Sequence, residues 1–177
     1  LCLGKSIMKL YPEYELTPEK LVQIGWASSM HDIGKIAIPD SIILKPAKLT
    51  QDEFELIKSH TTKGAEIIQQ RVRLNDRAIF EYAYDIVRHH HEKYDGNGYP
   101  DGLKGDEISI AAQIVSLVDV YDALTSKRVY KRAYEPDKAF QMILNGHSGV
   151  FSPKLLKAFT EVKPRFESLM EMYQDEI

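Results

Sequence analysis

Three adjacent histidines, His89, His90 and His91, end a helical pattern and precede the loop Glu-Lys-Tyr-Asp-Gly-Asn-Gly-Tyr-Pro of residues 92–100. The chain has six histidines in all, so half of them lie at this one point. Neutral imidazole is the commonest protein ligand for divalent metals, and glycine lets the backbone approach a bound group closely. The pattern therefore predicts a polar centre formed by a helix end and the glycine-rich loop. The alternative is a solvated helix end that the negative end of the helix dipole favours.

A second stretch with ligand chemistry, His31-Asp32-Ile33-Gly34-Lys35, lies upstream. A carboxylate can bridge two cations while an imidazole holds one of them, the arrangement that two-metal hydrolysis requires. Taken alone, His31 and Asp32 are equally typical of a helix end with a capping carboxylate. Because the two stretches carry the same chemistry, we expect them to form one site.

The remaining pattern is helical. Helix starts are signalled by a capping residue followed by proline or by a capping box. They occur at Thr17-Pro18-Glu19, Thr50-Gln51-Asp52-Glu53, Glu135-Pro136, Ser152-Pro153 and Pro164. Gly34 is expected to stop the helix that begins at Pro18. No alternating strand pattern and no internal repeat is present, so the prediction is an all-α helical bundle.

The most apolar predicted helix, residues 110–124, contains two carboxylates, Asp119 and Asp122. Burying a carboxylate on such a helix is costly unless the group is paired, hydrogen-bonded or bound to a metal. Asp119 is therefore a candidate ligand. The alternative is that it pairs with an arginine or caps a neighbouring turn.

Two further features are ambiguous by themselves. His60 lies between two predicted helices and could equally be an ordinary surface or half-buried histidine. Arg128 and Lys131, three residues apart in a short basic cluster, would point the same way and suit phosphate. The alternative for the cluster is a solvated face that pairs with Glu135 or Asp137.

Composition excludes several classes of function. The formal net charge is −3 and there is no polybasic tract, which argues against binding of polymeric nucleic acid. No apolar run approaches the roughly 20 residues of a membrane span. The one cysteine, Cys2, fits a reducing cytoplasm. We expect residues 1–177 to form a single domain, and the start at Leu1 inside a helical pattern predicts a domain cut from a longer polypeptide.

Taken in order, the motifs resemble the HD-GYP family, a branch of the HD metal-dependent phosphohydrolases. The motifs are His31-Asp32-Ile-Gly-Lys35, Lys45-Pro-Ala-Lys-Leu-Thr50, Lys58-Ser-His60, His90-His91-Glu92-x-x-Asp95-Gly-x-Gly-Tyr99-Pro100 and Asp119-Val-Tyr-Asp122-Ala-Leu-Thr. The His-Asp pair is a weak signal, whereas the extended histidine-to-GYP pattern is specific. The resemblance covers roughly residues 10–160.

The resemblance implies an all-α fold that holds two or three divalent ions. It also implies an enzyme that cleaves cyclic di-GMP to linear pGpG, to GMP, or to both. The positions that match metal ligands are His31, Asp32, His60, His90, His91 and Asp119. Asp32 would bridge two ions, Lys35 would lie near the scissile phosphate, Arg128 and Lys131 would hold phosphate, and Tyr99 would border the substrate pocket. Glu92 and Asp95 would stabilise the loop. Iron or manganese is expected, with nickel or zinc also compatible with these ligands.

The chain departs from the family pattern upstream. Family members carry a further histidine, often after a glutamate, before the His-Asp pair, and residues 1–30 contain no histidine. The ion at His31, Asp32 and Asp119 would then lack a ligand that lies upstream, while the ion at Asp32, His60, His90 and His91 keeps its set. His89 is expected to support the site or face solvent.

Two other functions stay open at this point. One is hydrolysis of another cyclic dinucleotide, such as cyclic GMP-AMP, and the other is binding of ligand or protein without turnover. The resemblance also implies a fused receiver or sensor domain and diguanylate cyclase domains as candidate partners.

Overall fold

The computed structural model describes residues 1–71, 77–126 and 133–174, and within these ranges the fold is all-helical, as predicted. The helices are α1 (Cys2–Leu10), α2 (Pro18–Ser28), α3 (Asp40–Ile43), α4 (Gln51–Lys58), α5 (His60–Arg71), α6 (Arg77–His89), α7 (Ile110–Thr125), α8 (Pro136–Leu144) and α9 (Pro153–Gln174). Short 3₁₀ turns cover Pro12–Tyr14, Ile33–Ala37 and Gly105–Glu107. None of the described helices is both long and apolar enough to cross a bilayer.

Several helix starts predicted from capping residues are confirmed. The Thr17 hydroxyl accepts a hydrogen bond from the Lys20 amide at the start of α2. Thr50 and Glu53 form the reciprocal capping box of α4. Ser152 caps α9 by accepting from the Leu155 amide at 3.0 Å. These bonds satisfy amides that a helix start otherwise leaves without partners, so the local sequence fixes where these helices begin.

The prediction that a new helix begins at Pro164 is wrong. Helix α9 runs through Pro164 without a break. Proline inside a helix removes one backbone bond and costs about 3 kcal/mol, so packing on both sides must offset it. Phe159 and Phe166, which flank the proline, both contact the ring of Tyr121 on α7 edge to face, with centroids 5.7 and 5.3 Å away.

Helix α7 lies between two hydrophobic cores. One core joins α1, α7, α8 and α9, and its largest buried side chains include Leu3, Leu117, Phe140 and Phe159. The other joins α2, α5, α6 and α7. Because α7 contributes to both, ten of its residues are buried, and the position of Asp119 on it is held from two sides.

Gly34 does not end α2, contrary to the prediction, but allows the backbone to approach α5 closely. Helix α2 already ends at Ser28, and Gly34 lies in the 3₁₀ turn Ile33–Ala37 pressed against α5. A Cβ atom on Gly34 would lie 1.8 Å from the His60 carbonyl oxygen and 2.6 Å from the Gly64 amide nitrogen. Only glycine permits this approach, and it brings Asp32 next to His60.

Candidate metal centre

The six predicted ligand residues come from four separate segments and meet in one place. His31 and Asp32 follow α2, His60 begins α5, His90 and His91 follow α6, and Asp119 lies on α7. Five of them line a pocket of about 580 Å³, and His90 lies buried against their rings. Lys35 and Tyr99 line the same pocket. Its other lining residues are Ile57, Val120, Asp122, Ala123 and Leu124.

His60, His90 and His91 form the inner half of the centre. One ring nitrogen from each lies within 4.8 Å of the others, a spacing that suits a shared metal ion. Helix α6 ends at His89, so His90 and His91 are released from helical geometry, in which neighbours diverge by about 100°. Both rings therefore turn toward His60, with centroids 5.4 and 5.1 Å from its ring.

Backbone carbonyls fix the tautomers of two inner histidines. His60 Nδ1 lies 2.7 Å from the Ile57 carbonyl oxygen, and His90 Nδ1 lies 2.9 Å from that of Ile86. Since a carbonyl only accepts hydrogen bonds, each Nδ1 carries the proton and each Nε2 presents a lone pair. The two Nε2 atoms face one another at 3.4 Å, which is favourable only with a cation or a proton between them.

Burial keeps the inner histidines neutral. It lowers the pKa of His90 to about 4, assisted by the nearby charge of His31. Burial also lowers the pKa of His60, and burial together with the His90 ring lowers that of His91. Neutral imidazole is the form that binds metal, so these side chains could hold a metal ion at neutral pH.

His31, Asp32 and Asp119 form the outer half of the centre. His31 Nε2 lies 3.4 Å from Asp32 Oδ2 and 3.6 Å from Asp119 Oδ1, and each side chain is 26–36% exposed. Asp32 joins the two halves, because its other oxygen, Oδ1, lies 3.5 Å from His60 Nε2. Lys35 Nζ lies 2.5 Å from Asp32 Oδ2, which places a cation at the pocket edge.

The outer half carries charge. The adjacent carboxylate of Asp119 raises the pKa of His31 even though burial opposes the shift. Burial alone would raise the pKa of Asp32, but the hydrogen bond from Lys35 and the charges of Lys35 and His31 lower it overall. For Asp119, burial is likewise outweighed by the neighbouring His31, and its pKa is lowered. Both carboxylates are thus ionised at neutral pH.

The glycine-rich loop closes over the inner half. The ring of Tyr99 stacks on His91 with centroids 4.9 Å apart, and its amide donates to the His91 carbonyl. Glu92 holds the loop through its Oε1, which accepts from the amides of Asp101 and Gly102. Burial, with the charges of Asp119 and Asp32, raises the pKa of the Tyr99 hydroxyl, which is therefore a hydrogen-bond donor at neutral pH.

A network of polar side chains behind the loop was not identified as such from the sequence. His89 bonds to Asp85 at 2.7 Å and to Asp101 at 3.0 Å, and Arg88 holds Asp101 with two bonds of 2.7 Å. Ser109, the cap of α7, donates to Asp85. The network ties α6, the loop and α7 together. Its one sequence signal is the third consecutive histidine, whereas the contact of Asp101 with α6 depends on tertiary structure.

The donor set fits divalent metal ions. It combines imidazole nitrogens with two carboxylates, and second bonds to backbone carbonyls fix the orientation of His31, His60 and His90, as is usual for metal-binding histidines. Such a mixed set accepts several transition metals. Arg128 and Lys131, predicted to hold phosphate, lie outside the described residues.

An apolar cavity of about 290 Å³ adjoins the outer half. His31 and Asp119 lie on the boundary between it and the larger pocket, and its other walls come from α1, α2 and α7. The outer half therefore borders both cavities, whereas His60 and His91 of the inner half border the larger pocket and His90 is buried.

Comparisons with known proteins agree with this geometry. A family profile described as HD domain matches residues 5–155. A cyclic di-GMP phosphodiesterase of Vibrio cholerae is 39% identical over 168 residues, which cover 93% of this chain and 34% of that protein. A 3′3′-cGAMP-specific phosphodiesterase of the same organism is 38% identical over 148 residues, 84% of this chain and 28% of that protein. The chain thus spans about a third of the length of these relatives.

Among solved structures, an HDG"Y"P protein from Bdellovibrio bacteriovorus superposes with a TM-score of 0.62. The match covers 91% of this chain and 50% of that one, at 19% sequence identity. At this identity the likeness concerns the fold, and it supports the all-helical architecture.

Proposed function

The chain belongs to the HD-domain family, in its HD-GYP branch, and we propose that it is a metal-dependent phosphodiesterase that hydrolyses cyclic di-GMP. Water adds to phosphorus as the bond to the 3′ oxygen breaks, which yields linear pGpG and, after a second cleavage, GMP. Relatives that carry the name of this activity support the choice of substrate.

The observation that carries the proposal is the facing pair of Nε2 atoms on His60 and His90, 3.4 Å apart, with Asp32 Oδ1 3.5 Å from the first. This arrangement of lone pairs and negative charge suits divalent cations. When bound, such ions supply Lewis acidity that polarises a phosphoryl oxygen and lowers the pKa of water. We propose His60, His90, His91 and Asp32 as the holders of one ion, and His31, Asp119 and Asp32 as the holders of another.

The other pocket residues would act on the substrate directly. Lys35 is placed to stabilise negative charge that develops on the phosphoryl oxygens. The Tyr99 hydroxyl would donate a hydrogen bond to the bound substrate. Arg128 and Lys131 are proposed as phosphate contacts on the chemistry of their side chains alone. We propose iron or manganese as the ions, with nickel or zinc as substitutes.

The test combines elemental analysis of the purified protein with hydrolysis of cyclic di-GMP, with and without added Mn²⁺ or Fe²⁺. We expect two or more ions per chain and a linear product whose formation stops when a chelator is added. Bound metal without hydrolysis of any phosphodiester would indicate a protein that binds its ligand without turnover. If neither bound metal nor hydrolysis is found, the proposed metal centre is wrong.

A second substrate has a specific observation in its favour, the similarity to a relative named for 3′3′-cGAMP. Competition between cyclic di-GMP and 3′3′-cGAMP in one reaction separates the two candidates by the ratio of their kcat/KM values. We also propose a cytoplasmic location, with a receiver or sensor domain and diguanylate cyclase domains as partners. Support for the location is the free Cys2, and support for the partners is the family resemblance.

A further inference from the structure

Next to the pocket, one large aromatic side chain is exposed without a place in either core. Phe54 on α4 is 43% exposed, and the two hydrophobic clusters of the described residues are built from other side chains. Ile57, one turn further along α4, lines the pocket. Phe54 therefore lies on the helix that contributes Ile57 to the pocket lining.

Lys58 connects Phe54 to the pocket. Its Nζ lies 5.0 Å from the centroid of the Phe54 ring and 5.5 Å from that of Tyr99, within the range of cation–π contacts. Glu55 holds the ammonium group through a 2.8 Å bond. Since an ammonium group has three donors, this bond leaves others available to a ligand.

These contacts make a continuous strip from the metal centre to the protein surface. His91 stacks on Tyr99, Tyr99 contacts Lys58, and Lys58 contacts Phe54. Aromatic rings next to a cation are the chemistry that binds single nucleobases, because every base has a π face that stacks on such rings. A site that cleaved only small phosphate esters would have no use for an exposed ring at the end of this strip.

We propose that Phe54 and Lys58 form a nucleobase subsite of the pocket and bias the enzyme toward guanine. Phe54 stacks on one base of the cyclic dinucleotide, and Lys58 donates to its O6 and N7 acceptors. Adenine offers an amino donor where guanine has O6, so Lys58 disfavours it. This inference rests on the proposed function and specifies which substrate feature the same site recognises outside the metal centre.

The experiment compares three substrates with the metal-loaded protein: cyclic di-GMP, cyclic di-AMP and methyl 4-nitrophenyl phosphate, a diester without a nucleobase. For Phe54→Ala we expect kcat/KM for cyclic di-GMP to fall about tenfold more than for the simple diester, the size of one lost base stack. Phe54→Tyr should restore most of the loss. For Lys58→Met we expect the preference for cyclic di-GMP over cyclic di-AMP to shrink about tenfold.

Trp26→Ala is the matched control, because Trp26 is also an exposed aromatic residue, at 63%, but lies on α2. Trp26→Ala should leave kcat/KM for all three substrates within twofold of the wild-type values. Equal losses on cyclic di-GMP and the simple diester in Phe54→Ala would overturn the subsite, as would an unchanged guanine preference in Lys58→Met. A wild-type protein that cleaves only the simple diester would instead overturn the proposed function, and the subsite with it.

Discussion

The two halves of the candidate centre use the same residue types in opposite environments. His60 and His90 are each 1% exposed and have lowered pKa values, whereas His31 is a quarter exposed and its pKa is raised by Asp119. Burial keeps the inner imidazoles neutral and removes their hydration. Ion pairing makes the outer half a charged site that water reaches. We infer that the inner half is the tighter metal site.

The largest effect is expected from Asp32, the residue shared by both halves. Asp32→Asn removes the negative charge next to His31 and His60, so both ions should be lost and kcat/KM should fall by about 10³-fold or more. Elemental analysis and a turnover assay measure the two effects. Asp40→Asn, an exposed carboxylate on α3, is the control. Retention of both ions in Asp32→Asn would contradict a bridging position.

Removing one histidine from each half tests the difference directly. His31→Ala should lose one ion and keep the ion of the inner half, because His60, His90, His91 and Asp32 remain. His90→Ala should lose the inner ion. Its free energy of unfolding should also fall by about 2–4 kcal/mol, because the substitution leaves a cavity at a buried position. Metal counts and thermal or urea unfolding are the measurements. Both variants are expected to keep one ion, so equal stabilities and equal affinities for that remaining ion would show that the halves are not distinct.

A substitution at Gly34 should move the two halves of the centre apart without replacing any candidate ligand. In Gly34→Ala the new Cβ collides with the backbone of α5, which should cost about 1–3 kcal/mol and move Asp32 away from His60. Urea unfolding should show the loss, and metal affinity should fall with it. Gly25→Ala is the control, because its Cβ meets only the Leu1 side chain, at 3.4 Å. Unchanged stability in Gly34→Ala would contradict the close approach.

The smallest expected effect is a difference in how the two ions respond to acid. Protons compete with metal for an imidazole lone pair, and His31 takes a proton at higher pH than His90, whose pKa is about 4. In dialysis from pH 7.5 toward pH 5, the ion of the outer half should therefore be released at a higher pH than the ion of the inner half, with a difference of about one pH unit or more. Elemental analysis at each pH follows the release. Simultaneous loss of both ions would contradict the comparison.

The candidate site contains residues that the sequence predicted and contacts that it did not. Residue type indicated His31, Asp32, the adjacent histidines and Asp119 as ligand candidates, because imidazole and carboxylate chemistry does not depend on tertiary structure. His60 was assigned through the family resemblance. The network of Asp85, Arg88, His89 and Asp101 was not found, since its bonds join α6 to a loop twelve or more residues later. Gly34 was assigned to a helix end, because a glycine needed for close approach looks the same in sequence as one that stops a helix.

Local sequence was enough to predict the starts of α2, α4, α8 and α9, the all-helical class and the chemistry of the candidate ligands, because capping bonds and side-chain chemistry are local. It misplaced a start at Pro164, where the proline rule was overridden by packing of Phe159 and Phe166 on Tyr121. The division of the candidate ligands into a more buried and a more exposed half depends on tertiary structure alone. Burial and the contact of Gly34 with α5 depend on which helices pack together, and a linear pattern does not contain that information.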